Sequence, residues 1–184
     1  MVLADEIAIE PTSLELLARP LEWFAAEHQR HREFCRRLAE AAAATIFDGP
    51  EIAALAAFVR HDLARHVLEE EEELFPLLRR RARPEDVITE ALDRLAAEHG
   101  ADAASAQVVL AHLDASLEAR APLGASAGAR QALMGFASEE LRHLALENAV
   151  VLPLARLRLS SGDLRKLSRR LAARRGVELA PAGR

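Results

Sequence analysis

His66 and Glu70 stand four residues apart, and so do His143 and Glu147. On a helix this spacing sets an imidazole and a carboxylate on one face, about 6 Å apart along the axis, so each pair can address one ion or two adjacent ions. The register is duplicated beyond the pairs: Leu74-Phe75-Pro76-Leu77 follows the first, and Val151-Leu152-Pro153-Leu154 follows the second. A shorter repeat, Ala25-Ala26-Glu27-His28 against Ala96-Ala97-Glu98-His99, adds one histidine to each half. The candidate metal ligands are therefore His28, His66, Glu70, His99, His143 and Glu147. Imidazole and carboxylate together suit iron, manganese or zinc, and the lack of clustered thiolates argues against iron–sulfur and structural cysteine–zinc sites. A closed zinc site needs only four ligands, so this larger set points to two ions with open positions, the two carboxylates placed to bridge them.

Other polar residues near these motifs carry less weight. His31 lies one turn from His28 and His61 lies near the second-helix pair, but Asp102 and Ser138 occupy the matching places in the other half. Both histidines are read as outer partners of the site or as exposed. Asp62 and Glu139 each precede a ligand histidine by four residues and are assigned to orienting the imidazoles. The run Glu69 to Glu73 reads as a solvated acidic face with Glu70 alone turned inward, Glu73 being its competitor. Trp23, Phe24, Phe75 and the single cysteine, Cys35, are assigned to packing.

Four helices are needed to carry the six ligands. Ala, Leu, Glu and Arg dominate and Tyr is absent, a composition that favours helix. Proline suits the first turn of a helix and glycine its exit, which divides the chain. A first helix opens near Pro20 and ends by Asp48-Gly49; a second runs from Pro50 to about Arg81. A third starts at Arg83-Pro84 and reaches about Ala119; after the small-residue stretch 121–126 a fourth runs to about Leu159. Ser160 and Asp163 are spaced as a capping box for a fifth, shorter helix ending at Arg175-Gly176. Pro76 and Pro153, each ten residues after a ligand histidine, should bend or loosen their helices.

Apolar residues recur at helical spacing, as in Leu55, Phe58, Val59 and Leu63, so each helix has a stripe to bury. Short turns between such helices favour antiparallel neighbours. The sequence thus predicts an all-α fold: an N-terminal segment (1–19), an antiparallel up-down four-helix bundle (20–159), a C-terminal helix (160–176) and a tail (177–184).

The net charge of -5 arises from acidic and basic residues mixed along the same helices, which gives no basic surface for nucleic acid. The opening residues lack a basic, apolar leader, and no apolar run approaches the roughly 20 residues of a membrane span. The expectation is a cytoplasmic protein. The basic stripe of the fifth helix reads as a solvated face, with packing on the bundle or formation of a homodimer as the alternatives.

In combination these motifs resemble the hemerythrin-like (HHE cation-binding) family: a first-helix histidine, H-x-x-x-E before Leu-Phe-Pro, a third-helix Glu-His, and a fourth-helix histidine followed by a carboxylate. The resemblance covers roughly residues 20–159. It implies a hemerythrin-type bundle holding two non-haem iron ions that meet dioxygen, hydrogen peroxide or nitric oxide. Carried over, it makes His28, His66, His99 and His143 terminal ligands and Glu70 and Glu147 bridges. Ala103 stands where the oxygen carriers have a second third-helix histidine, and Glu147 stands four residues after His143 where they have Asp at five. These departures resemble the variants with two H-x-x-x-E helices, which implies peroxide decomposition, nitric oxide handling or iron sensing in place of oxygen carriage. By spacing alone manganese and zinc stay open. A catalase-like enzyme and a non-enzymatic iron or oxygen sensor are the two leading readings. A metal-free interaction module is a third, disfavoured because unpaired buried carboxylates are costly.

Overall fold

The computed structural model describes residues 9–179. The first eight residues and the last five, parts of the N-terminal segment and of the tail, lie outside the described residues. Five long helices account for most of the rest: α1 (Pro20–Ala43), α2 (49–81), α3 (Ile88–Ala119), α4 (127–158) and α5 (Ser161–Ala173). There is no strand among the described residues.

Each helix starts for a local reason. Pro20 occupies the first turn of α1. Asp48 caps α2 by accepting from Glu51 N at 3.1 Å, with Pro50 in the first turn. Ser126 caps α4 by accepting from Ala129 N at 3.2 Å. Such caps satisfy backbone donors that a helix start leaves unpaired. Gly124, in the turn Leu123–Ala125, donates to Ala44 O at 3.2 Å. A Cβ there would sit 2.3 Å from that oxygen, so only glycine lets the α3–α4 connection close on the end of α1.

The third helix begins later than Arg83-Pro84. Those residues open a 3-10 turn, Pro84–Asp86, after which Val87 adopts the left-handed conformation at φ 49° and α3 starts at Ile88. A β-branched residue is strained there, and the Val87 side chain is 71% exposed, so it gains little in return. Val87→Gly is expected to stabilise the protein by about 1 kcal/mol in urea titration. An unchanged or lower midpoint would contradict that.

The helices close into a ring in which α1 meets α2, α2 meets α3, α3 meets α4, and α4 returns to α1. Their antiparallel run shows in two apolar clusters. One joins Phe34 and Leu38 of α1 to Leu55 and Phe58 of α2, Val109 and Leu113 of α3, and Leu133 and Phe136 of α4. The other joins Phe24 of α1 to Leu74 and Leu78 of α2, Leu92 and Leu95 of α3, and Val151 and Leu152 of α4. Late α1 thus meets early α2, and late α3 meets early α4. The residues between the clusters on all four helices form a layer that is buried and polar.

The fifth helix seals the second cluster with Leu167, Leu171 and Ala172. Ser160 and Asp163 form its capping box, and Arg81 Nε donates to Asp163 Oδ2 at 2.8 Å, tying it to the end of α2. Arg158 similarly grips Asp86 through two hydrogen bonds of 2.8 and 2.6 Å. Arg158, then the Arg83 N–H, lowers the Asp86 pKa from 3.8 to about 2. Asp163 is lowered too, by Arg81 and then Ser160. A carboxylate depressed in the folded state contributes stability above its unfolded value and loses it as protons bind the fold. Stability is therefore expected to fall as pH drops from 3.8 through about 2. Asp86→Asn should flatten this fall in urea midpoints taken across the window; an identical slope would remove Asp86 from the account.

Among the described residues, no helix is long and apolar enough to cross a membrane.

Candidate metal centre

The polar layer holds His28 from α1, His66 and Glu70 from α2, His99 from α3, and His143 and Glu147 from α4, each no more than 5% exposed. Glu70 is the hub: Oε1 lies 3.4 Å from His28 Nε2 and 3.5 Å from His66 Nε2, while Oε2 lies 3.5 Å from His99 Nε2. Glu147 faces it across the layer, Oε1 at 3.0 Å from His143 Nε2 and Oε2 at 3.5 Å from His28 Nε2. The donor atoms fall into two sets, His28–His66–Glu70–Glu147 and Glu70–His99–His143–Glu147, each with its atoms within 4.8 Å of one another. Both carboxylates belong to both sets.

The helix backbone makes this possible. In α2 a π-turn spans Glu70–Leu74 and in α4 another spans Glu147–Val151, each beginning on a site glutamate. Phe75 N donates back five residues to Glu70 O, and Leu152 N to Glu147 O. A proline interior to an α-helix clashes with the carbonyl four residues earlier. The wider turn absorbs that conflict at Pro76 and Pro153, so the helices are loosened there, as the prolines suggested, and continue beyond them. Glu69, Glu70, Glu73 and Leu74, at three, four, seven and eight residues after His66, all lie inside with it.

Several buried atoms of this layer lack a hydrogen-bond partner: both nitrogens of His66, Glu70 Oε2 and Glu147 Oε2. His99 Nε2 and His143 Nε2 point at each other across 2.9 Å. Two imidazoles on adjacent positions of one ion, at roughly 2.1 Å each, would stand about 3 Å apart. Orphaned nitrogens and oxygens converging at this spacing fit a pair of cations. Without them protons fill part of the role. Burial opposes charge on His143, but the bond to Glu147 and its charge outweigh that and push the imidazole up to about 10. Burial and the charge of Glu70 raise the pKa of Glu147. Burial keeps His66 neutral, the form that ligates a cation.

Outer partners follow the duplication with a crossover. Glu71, directly after Glu70, lies 2.9 Å from His99 Nδ1, and Asn148, directly after Glu147, lies 2.9 Å from His28 Nδ1. Each repeat thus supports the histidine of the other. The halves then diverge. His143 Nδ1 lies 3.2 Å from Glu98, whereas Glu27, its counterpart, accepts from Thr12 and Arg30, and His66 Nδ1 has no partner. A carboxylate behind an imidazole raises its basicity as a ligand. The His99–His143 set is therefore the more electron-rich of the two.

The residues assigned to orienting the imidazoles are elsewhere. Asp62 accepts from Arg30 at 3.1 Å, and Glu139 and His61 are exposed. His31 is fully buried, its ring 4.4 Å from that of His66, and its Nδ1 lies 2.7 Å from Glu140. Glu140 is buried, one residue from the Glu139 that spacing suggested, and it serves α1 instead of its own helix's histidine. The signal for Glu71 and Asn148 was present: continuing the repeat by one residue reaches both. Phe75 stacks on His99 with rings 6° from parallel, and Phe24 packs on His66, so apolar walls do flank the layer. Cys35 is buried, which raises its thiol pKa and leaves it unreactive.

Glu69 and Glu73 are buried, not solvated, and Glu73 does not compete with Glu70. Glu73 accepts from Arg170 at 2.7 Å and Arg174 at 2.9 Å, while Arg175 pairs with Glu69 and lies over the Trp23 ring at 4.1 Å. The arginines of α5 expected to face solvent thus hold the acidic residues on either side of the hub glutamate. Arg175→Ala would leave Glu69 charged and buried without its cation, an arrangement that costs about 3–5 kcal/mol. Urea unfolding checks this, a loss below about 1 kcal/mol being the level of a surface pair.

No curated protein and no solved structure matches the chain. A family model does, the Hemerythrin HHE cation binding domain, over residues 19–155, the span that contains α1 to α3, α4 up to its last three residues, and all six converging residues. Match and geometry agree on a helical bundle with buried His/Glu clusters compatible with metal binding, and the chain belongs to the hemerythrin HHE cation-binding family.

Proposed function

We propose that the chain holds two iron ions, one in each donor set, and reacts with a small oxidant: dioxygen, hydrogen peroxide or nitric oxide. The observation that supports this reading is the sharing of Glu70 and Glu147 by both sets, which would let a carboxylate from each repeat serve two neighbouring cations. Four imidazoles and two carboxylates leave room for a further ligand at two ions, and they suit a metal that cycles between two charges. Bound in its reduced state, the pair supplies two electrons to the oxidant, one from each ion. The protein's own part is to bind and to position. His99 and His143 are backed by Glu71 and Glu98, His28 by Asn148, and the flanking Phe24 and Phe75 limit water.

Anaerobic protein loaded with ferrous iron, mixed with hydrogen peroxide, tests the reading. One peroxide consumed per two irons is the expected stoichiometry; iron that stays ferrous would remove it. A second reading, a non-enzymatic iron or oxygen sensor, is favoured by the grip of Arg170, Arg174 and Arg175 on the segment around Glu70. It requires α5 to gain protease sensitivity when the metal is removed, with negligible peroxide turnover. Turnover with unchanged cleavage would exclude it.

A further inference from the structure

A recess of about 250 Å³ opens beside the polar layer, between α2 and α3. Its rim is made of small or exposed residues, Ala64, Ala103 and Gln107. Val59, Leu63 and Ala106 form buried apolar walls, and the floor is His66, His99 and His143 with Glu140. Three of the six converging residues are thus reached from solvent through one apolar passage.

The recess is too large for its expected guests. Dioxygen, peroxide and nitric oxide have two heavy atoms, whereas an apolar cavity of about 150 Å³ already accepts benzene. Its size matches a molecule of roughly six to eleven heavy atoms, just below the usual range of pockets for drug-sized molecules. Chemistry narrows the class further. The lining mixes two carboxylates, Glu140 and Asp102, with the imidazoles of His66, His99 and His143, so it is not built for an ion of either sign. Asp102 apart, the buried polar groups cluster at the floor and Val59, Leu63 and Ala106 are apolar, so the guest has an uncharged apolar body and one polar end.

We infer that this recess is a substrate pocket for small neutral organic hydroperoxides, seated with the O–O group toward His66, His99 and His143 and the alkyl part against Val59, Leu63 and Ala106. The inference rests on the proposed reaction with an oxidant and specifies its substrate. In the step the O–O bond breaks and two protons enter from solvent. Two electrons come one from each reduced ion, and an alcohol and one water leave. Ala103 at the rim determines specificity by being small.

The test uses tert-butyl and cumene hydroperoxides, hydrogen peroxide, and cumyl alcohol as an unreactive probe, with wild-type and Ala103→Phe protein. In zinc-loaded protein, cumyl alcohol is expected to shift the NMR methyl signals of Val59 and Leu63, and Ala103→Phe to abolish the shift. In single-turnover oxidation of the ferrous protein, the rate ratio of cumene hydroperoxide to hydrogen peroxide is expected to drop at least about tenfold in Ala103→Phe. Metal content read in both proteins ensures that the ratio reports the pocket. No methyl shift in wild-type protein overturns the pocket, whatever the peroxide chemistry. A shift together with turnover of hydrogen peroxide alone overturns the substrate class. A shift with neither peroxide reacting overturns the oxidant reading beneath it.

Discussion

Glu70→Ala protein is expected to lose both metal ions, not one. The two oxygens of Glu70 face three histidines from three helices, at 3.4 to 3.5 Å, and the residue belongs to both donor sets. Removing it takes a negative ligand from each position at once and leaves each with two imidazoles and Glu147 alone, so the affinity of each is expected to fall more than about 100-fold, beyond the loss typical of an outer partner. His66→Ala makes the contrast, since His66 belongs to one set only and its loss should leave one ion bound. Glu73→Ala makes another: Glu73 is also a glutamate, sits one turn on and is buried, yet faces α5, so both ions should stay. Metal analysis of the three variants decides. Equal metal loss in Glu70→Ala and Glu73→Ala would mean that the register of α2 is wrong.

The second large effect is on stability. Stripping the metal leaves a buried layer with both nitrogens of His66 and one oxygen each of Glu70 and Glu147 unpaired, and with two carboxylates whose mutual repulsion raises Glu147. A ligand at a thousandfold excess over its Kd stabilises by about 4 kcal/mol, so two ions contribute about 8 kcal/mol. For a chain of this length that is roughly 15–30 °C in Tm. Calorimetry before and after chelation measures it. The two positions should not empty together: the carboxylates behind His99 and His143 favour their ion, and the His28–His66 position is expected to release first. A Tm that does not move on chelation would place the cations outside the bundle core.

The sequence carried much of the site and less of its surroundings, for reasons that differ from residue to residue. The six converging residues were legible because duplication removes chance: one His–Glu pair on a helix is ordinary, and the same pair in the same register in both halves is not. The fold followed from composition, apolar spacing and proline, which act locally. The π-turns were not legible, and the burial of Glu69 and Glu73 was missed although both lie at helical spacing from His66, three and seven residues on, because an unbroken run of glutamates reads as a solvated face. Their burial in turn calls for cations, which is why Arg170, Arg174 and Arg175 dock instead of facing water. His31–Glu140 pairs residues 109 apart, beyond any local pattern, and Glu139 was chosen in its place on a spacing that three residues satisfy as well as four. Val87 shows the same limit: nothing in Arg83-Pro84 announces that a left-handed residue will delay α3.

The central claim, two cations between Glu70 and Glu147, is tested most directly by metal content per chain on freshly purified protein, joined to an absorption spectrum before and after reduction. The account expects two irons per chain with a charge-transfer band that reduction bleaches. One ion or none per chain, even after anaerobic reconstitution with ferrous iron, would contradict it.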